Sequence, residues 1–118
     1  MTELIACLST GKGTWGHVSR LIQDQDWEKI FLITNDFGKE NFSPTKPSEF
    51  MVVDSRKPMI ELRDEIKERL KDKIKCTDVA LNMASGTGKE HMAILSALLQ
   101  LGVGIRIVAL TKEGIQEL

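Results

Sequence analysis

Asp78-Val79-Ala80-Leu81-Asn82-Met83-Ala84-Ser85-Gly86-Thr87-Gly88-Lys89-Glu90-His91 decides how this chain folds. It starts as a buried strand and breaks into small and hydroxylated residues. It then opens a helix with Lys89 and His91 in its first turn, followed by a long apolar run. A helix start carries backbone N–H groups with no intrahelical partner and the positive end of the macrodipole. Glycines let such a backbone close around an anion. The stretch reads as a cradle for a phosphate or carboxylate. Its bland alternative is an ordinary strand-to-helix turn.

The same grammar recurs upstream. Leu4 to Leu8 is a continuous apolar run, which fits a strand buried on both faces. Ser9-Thr10-Gly11-Lys12-Gly13-Thr14-Trp15-Gly16-His17 follows, and a helix with Trp15, Val18, Leu21 and Ile22 on one side runs to about Gln25. Thr14 is the expected N-cap. Lys29 to Thr34 reads as a second strand and Phe50 to Asp54 as a third, shorter one. Pro44 and Pro47 exclude a long helix between them. Met59, Leu62, Ile66, Leu70 and Ile74 recur at helical spacing. Thr77 to Asn82 is the fourth strand, and the helix after Gly88 ends at Gly102. Val103 to Leu110 is the fifth strand, and Lys112 to Leu118 a short tail.

Strands alternating with helices predict one α/β domain over residues 1–118. Its architecture would be a three-layer sandwich with a Rossmann-like, doubly wound, mainly parallel five-stranded sheet. In the order 3-2-1-4-5, strands one and four adjoin at the switch point, where ligands of such sheets bind. Both glycine-rich loops end there, and His17 and His91 lie just beyond them. The helix from His91 to Leu101 is apolar nearly all round, which predicts cover from a second subunit and hence a homodimer.

Composition narrows the functions. The chain has 118 residues, 42% hydrophobic and 28% charged, with a net charge of −1. That balance supplies no field for holding a DNA duplex. No run is long enough to span a bilayer and no signal peptide opens the chain, so no membrane partner is expected. Cys7 and Cys76 show neither disulfide nor metal spacing, and fit free thiols in a cytoplasmic protein. No metal site is expected, because His17, His91 and the carboxylates lack ligand spacing.

Gly11-Lys12-Gly13-Thr14-Trp15-Gly16 satisfies G-x-G-x-x-G between a strand and a helix, with Asp36 after the second strand. A small NAD or FAD dinucleotide-binding module is therefore one alternative, although Lys12 and Trp15 crowd a pyrophosphate. Gly88-Lys89 is not a P-loop, since Met83 and Glu90 stand where Gly and Ser or Thr are required.

Asn82, the small-residue loop Ser85-Gly86-Thr87-Gly88-Lys89, Met92 and the apolar helix resemble the signature loop of CRISPR-associated Rossmann-fold (CARF) domains, roughly N-x-T-G-G-T-K-x-M. This loop is one residue longer between Asn82 and Lys89. Ser9-Thr10-Gly11 is similar to the family's other ligand loop. The resemblance implies a homodimer that binds a cyclic oligoadenylate, a small RNA second messenger of antiviral defence, in a joint pocket and without a cofactor. Ser9, Thr10 and Gly11 match the first ligand loop, and Asn82, Ser85, Gly86, Thr87 and Lys89 the second. Reading both loops as cradles adds Lys12, Gly13 and Gly88. Some members also cleave the ring without metal, so a stand-alone ring nuclease is a further alternative. Its candidate catalytic residues are Ser9 and Lys89 on the phosphate, with His17 or His91 moving a proton.

Overall fold

A computed structural model describes residues 2–118. Six strands form one sheet: β1 (Glu3–Cys7), β2 (Lys29–Thr34), β3 (Glu49–Val52), β4 (Asp78–Asn82), β5 (Gly104–Thr111) and β6 (Gly114–Glu117). Their order is β3-β2-β1-β4-β5-β6, parallel except for the last pair. The helices are α1 (Trp15–Asp24), α2 (Asp36–Asn41), α3 (Met59–Leu70) and α4 (Gly88–Leu101). The doubly wound three-layer sandwich is the one the alternating pattern predicts.

The apolar run in β1 is continuous because both faces of the sheet are covered. Ile5 and Cys7 join Val79, Leu81 and the inner sides of α3 and α4. Leu4, Ala6 and Leu8 face the other way, against Trp15, Val18, Leu21 and Ile22 of α1.

Two expectations are corrected, on the tail and on the cover of α4, and a short helix is added after β2. The tail after Leu110 is not loose: Gly114, at φ +100°, lets the chain reverse after Lys112-Glu113, and β6 pairs antiparallel with β5. The sheet therefore has six strands, not five. The segment after β2 holds a six-residue helix, α2, capped where Gly38 N–H donates to Asn35 Oδ1 at 2.9 Å and ending before Pro44. The second cover of α4 is largely internal, because α3 packs along it through Leu62, Ile66 and Leu70, and Leu98 is fully buried. Only Met92 and Leu99 remain as large exposed apolar side chains on α4.

Among the described residues no helix is long and apolar enough to cross a membrane.

Candidate functional site

β1 and β4 are neighbours, with Ala6 opposite Asn82, so the loops that follow them leave the sheet side by side. They are bonded to each other there. Ser9 N–H donates to Ser85 Oγ at 2.8 Å, and the Ser85 hydroxyl lies 3.2 Å from Ser9 Oγ. Ser85 is buried, so it joins the loops and leaves the outward role to Ser9. Ser9 Oγ accepts from Gly11 N–H at 3.2 Å, and its carbonyl accepts from the Trp15 indole N–H at 3.0 Å. Trp15 turns inward and does not crowd the loop mouth. Thr10, Gly11, Lys12 and Gly13 are exposed. The Lys12 ammonium lies 5.8 Å from the Trp15 ring centre and 5.6 Å from that of Phe37.

Asn82 does not open onto the mouth. It is 1% exposed and its amide is fully engaged. Oδ1 accepts from Ala84 N–H at 3.2 Å, while Nδ2 donates to the Val108 carbonyl at 2.9 Å and to His17 Nε2 at 3.1 Å. Leu110 N–H also donates to His17 Nε2, at 3.1 Å. A backbone N–H can only donate, so this nitrogen is an acceptor and the proton sits on Nδ1. His17 is thus a neutral strut between α1, β4 and β5, and burial pushes its pKa below the ordinary value. His91 plays the opposite part: its Nε2 lies 2.7 Å from the Ser85 carbonyl, which can only accept, so this nitrogen is a donor. Both histidines hold the loops in shape.

The start of α4 is closed by a capping box. Glu90 N–H donates to Thr87 Oγ1 at 3.2 Å, and Thr87 N–H to Glu90 Oε1 at 2.8 Å. The Thr87-x-x-Glu90 spacing announces this, and sequence reading passed over it. Glu90 is 8% exposed and brings negative charge to the helix start, which subtracts from its pull on anions. The first-turn N–H groups of Gly88 and Lys89 have no acceptor among the described residues, and neither has the Lys89 ammonium.

Gly86 sits over Cys7 with φ +106°. Burial, and then the Glu90 charge, push the Cys7 thiol far above its ordinary pKa, so it is no nucleophile. The loops thus meet as expected, but the predicted contacts divide. Ser9, Thr10, Gly11, Lys12, Gly13, Gly88 and Lys89 are exposed or half-buried in the segments that follow β1 and β4. Asn82, Ser85, Thr87, His17 and His91 hold those segments in shape, and Gly86 allows the close packing beneath.

No family model matches the chain, and no curated protein matches it. Among solved structures, the FMN-dependent cysteine decarboxylase TvaF from thioviridamide biosynthesis is similar at 12% identity over 89% of each chain, with a TM-score of 0.35. A superposition of that quality supports no transfer of ligand or activity.

Proposed function

We propose that this chain binds a small anionic nucleotide, a cyclic oligoadenylate of the kind used in CRISPR antiviral defence, at the paired loops of β1 and β4. The observation that carries this reading is the junction of the two loops through Ser9 and Ser85, with the Gly88 and Lys89 N–H groups left without an acceptor among the described residues in the second of them. Phosphate would meet the N–H groups of Gly88 and Lys89, the Lys89 ammonium and Ser9 Oγ, whose hydrogen would turn to it from the Gly11 carbonyl. Charge-assisted bonds of this kind contribute roughly 1.5–3 kcal/mol each. Titration with cyclic tetra-adenylate tests it. Lys89→Ala should weaken binding at least about tenfold, with the melting temperature nearly unchanged and the ligand recovered intact. Wild-type protein that binds no nucleotide would overturn the reading.

The same reading includes a homodimer. Lys89, Met92 and Leu99 follow one another at i, i+3 and i+10, on one side of α4. Met92 is 59% and Leu99 69% exposed. Pairing along this stripe would bring two Lys89 side chains toward one ligand. Sedimentation should show a dimer that Leu99→Glu converts to a folded monomer. The neighbouring Leu98 is fully buried in the core and does not belong to this stripe. A wild-type monomer at micromolar concentration would remove the dimer from the reading.

A further inference from the structure

β5 carries one charge inside an apolar strand. Arg106 stands between Ile105 and Ile107, beside Ala80 of β4, and shares the α1 face of the sheet with Val108. A guanidinium in that position needs acceptors. Among the described residues it makes one hydrogen bond, from Nη2 to Thr2 Oγ1 at 2.6 Å. Nε is buried with no hydrogen-bond acceptor, although Asp78 Oδ2 lies 3.2 Å away in an ion pair. Nη1 lies 3.8 Å from Glu117 Oε1, too far for a hydrogen bond. Tying Thr2 to the sheet therefore uses one of several N–H donors.

Arg106 and Glu117 line a cavity of about 260 Å³ at the amino end of β5, the end of the sheet away from the paired loops. Trp27, Val108 and Ile115 give it an apolar wall continuous with the core under α1. The Trp27 indole N–H already donates to the Leu21 carbonyl at 2.8 Å, so this ring offers carbon surface. Asp26 and Glu117 bring carboxylates to the opening, on side chains 97% and 56% exposed.

The cavity is smaller than the roughly 300–1,000 Å³ of drug-sized sites, so its occupant is small. A simple anion is disfavoured, because Asp26, Asp78 and Glu117 outnumber Arg106. A simple cation is disfavoured by the guanidinium. A zwitterion meets both signs, and one with an apolar body also covers the wall. An α-amino acid carries its opposite charges on neighbouring groups. Arg106 Nη1 and Glu117 Oε1 are neighbours of opposite sign that do not bond each other.

We infer that this cavity binds a free apolar α-amino acid, its carboxylate on Arg106 Nη1, its ammonium on Glu117 and its side chain against Trp27 and Ile115. The site is separate from the paired loops and does not depend on the nucleotide reading.

The test is calorimetric titration with L-leucine, leucinamide and N-acetyl-leucine, with heteronuclear NMR locating the site. Leucine should bind with a Kd of about 1 mM or tighter. It should move the signals of Trp27, Arg106 and Ile115 and leave those of Ser9 to Gly13 in place. Leucinamide lacks the carboxylate and N-acetyl-leucine the ammonium, so each should bind at least about tenfold more weakly. Glu117→Gln keeps the size of an exposed side chain. It should weaken leucine at least about tenfold and leave N-acetyl-leucine unchanged. Arg106→Lys keeps the charge facing Asp78 but loses the planar fork, and should weaken leucine and N-acetyl-leucine alike. Thermal melts confirm that both variants fold, and the three ligands on wild type need no variant. No saturable leucine binding up to roughly 10 mM, or signals that move at the paired loops instead, would overturn the site. Leucinamide as tight as leucine would leave a pocket for cations, and N-acetyl-leucine as tight as leucine a pocket for carboxylates. Either result overturns the amino-acid assignment, as does an equal loss of both ligands in Glu117→Gln.

Discussion

Gly86→Ala should lower folding stability by about 3 kcal/mol and take ten or more degrees off the melting temperature, on the order expected for a chain this size. Two separate costs combine. Gly86 has φ +106°, where an L side chain is strained by roughly 1–3 kcal/mol. A Cβ there would also stand 2.6 Å from Cys7 Sγ and 3.0 Å from His91 Nε2. Cys7 ends a central strand and is fully buried, so its sulfur has nowhere to retreat. His91 Nε2 bonds the Ser85 carbonyl, so moving that ring disturbs the same loop. Urea unfolding of Gly86→Ala and of the double variant Cys7→Ala/Gly86→Ala separates the two costs. The double variant should recover the packing part, corrected for the cost of Cys7→Ala alone, and none of the backbone part. If Gly86→Ala unfolds within about 0.5 kcal/mol of wild type, the close packing of the loop onto β1 is not what holds it down.

The parts of the fold legible in the residues were those with a two-sided or one-sided burial pattern. β1, β2 and β4 are continuous apolar runs because each alternates between the α3–α4 layer and the α1 layer. Their relative order followed from handedness and the doubly wound rule. β6 escaped because its one apolar anchor is Ile115, and its turn depends on Gly114 rather than an Asn-Gly pair. The apolar circumference of α4 was visible, but not whose side chains cover it. The stripe Leu62, Ile66 and Leu70 supplies most of that cover from within the chain.

The site divided in the same way. Strand order alone brings Ser9 and Ser85 together. Which polar groups then face outward depends on partners distant in sequence. Asn82 is turned inward by the Val108 carbonyl, 26 residues on, and by His17, 65 residues back. A side chain matching a ligand motif can therefore be the support of that motif. The Thr87–Glu90 capping box was local, and its spacing could have been read.

Asn82→Asp should turn the strut at His17 into a source of repulsion at neutral pH. In the wild-type protein burial holds the His17 pKa below the ordinary value near 6.5, and Nε2 accepts two hydrogen bonds that suit the neutral ring. Its contribution to stability is complete above that ordinary value and is lost as pH falls below it, because the unfolded chain takes up the proton first. A carboxylate in place of the amide can no longer donate to the Val108 carbonyl or to His17. At pH 8 it would face a carbonyl oxygen and an imidazole lone pair in a buried place, costing about 3 kcal/mol. Protonating His17 relieves one of these contacts, so the variant's His17 pKa should rise. The charged pair then stabilises the fold below the ordinary histidine value and is lost as pH rises through the new one. Between pH 8 and pH 6 wild type should lose stability while Asn82→Asp recovers part of its deficit. Urea unfolding across that range reads the stability, and the His17 ring resonance in a proton NMR titration reads the pKa. Asn82→Ala serves as the control, because it removes the same donors and adds no charge, so its deficit should shrink toward low pH by less than that of Asn82→Asp. Parallel pH profiles for wild type and Asn82→Asp, with an unmoved His17 titration, would show that the two side chains are not coupled, and the tautomer assigned to His17 would fall with the prediction.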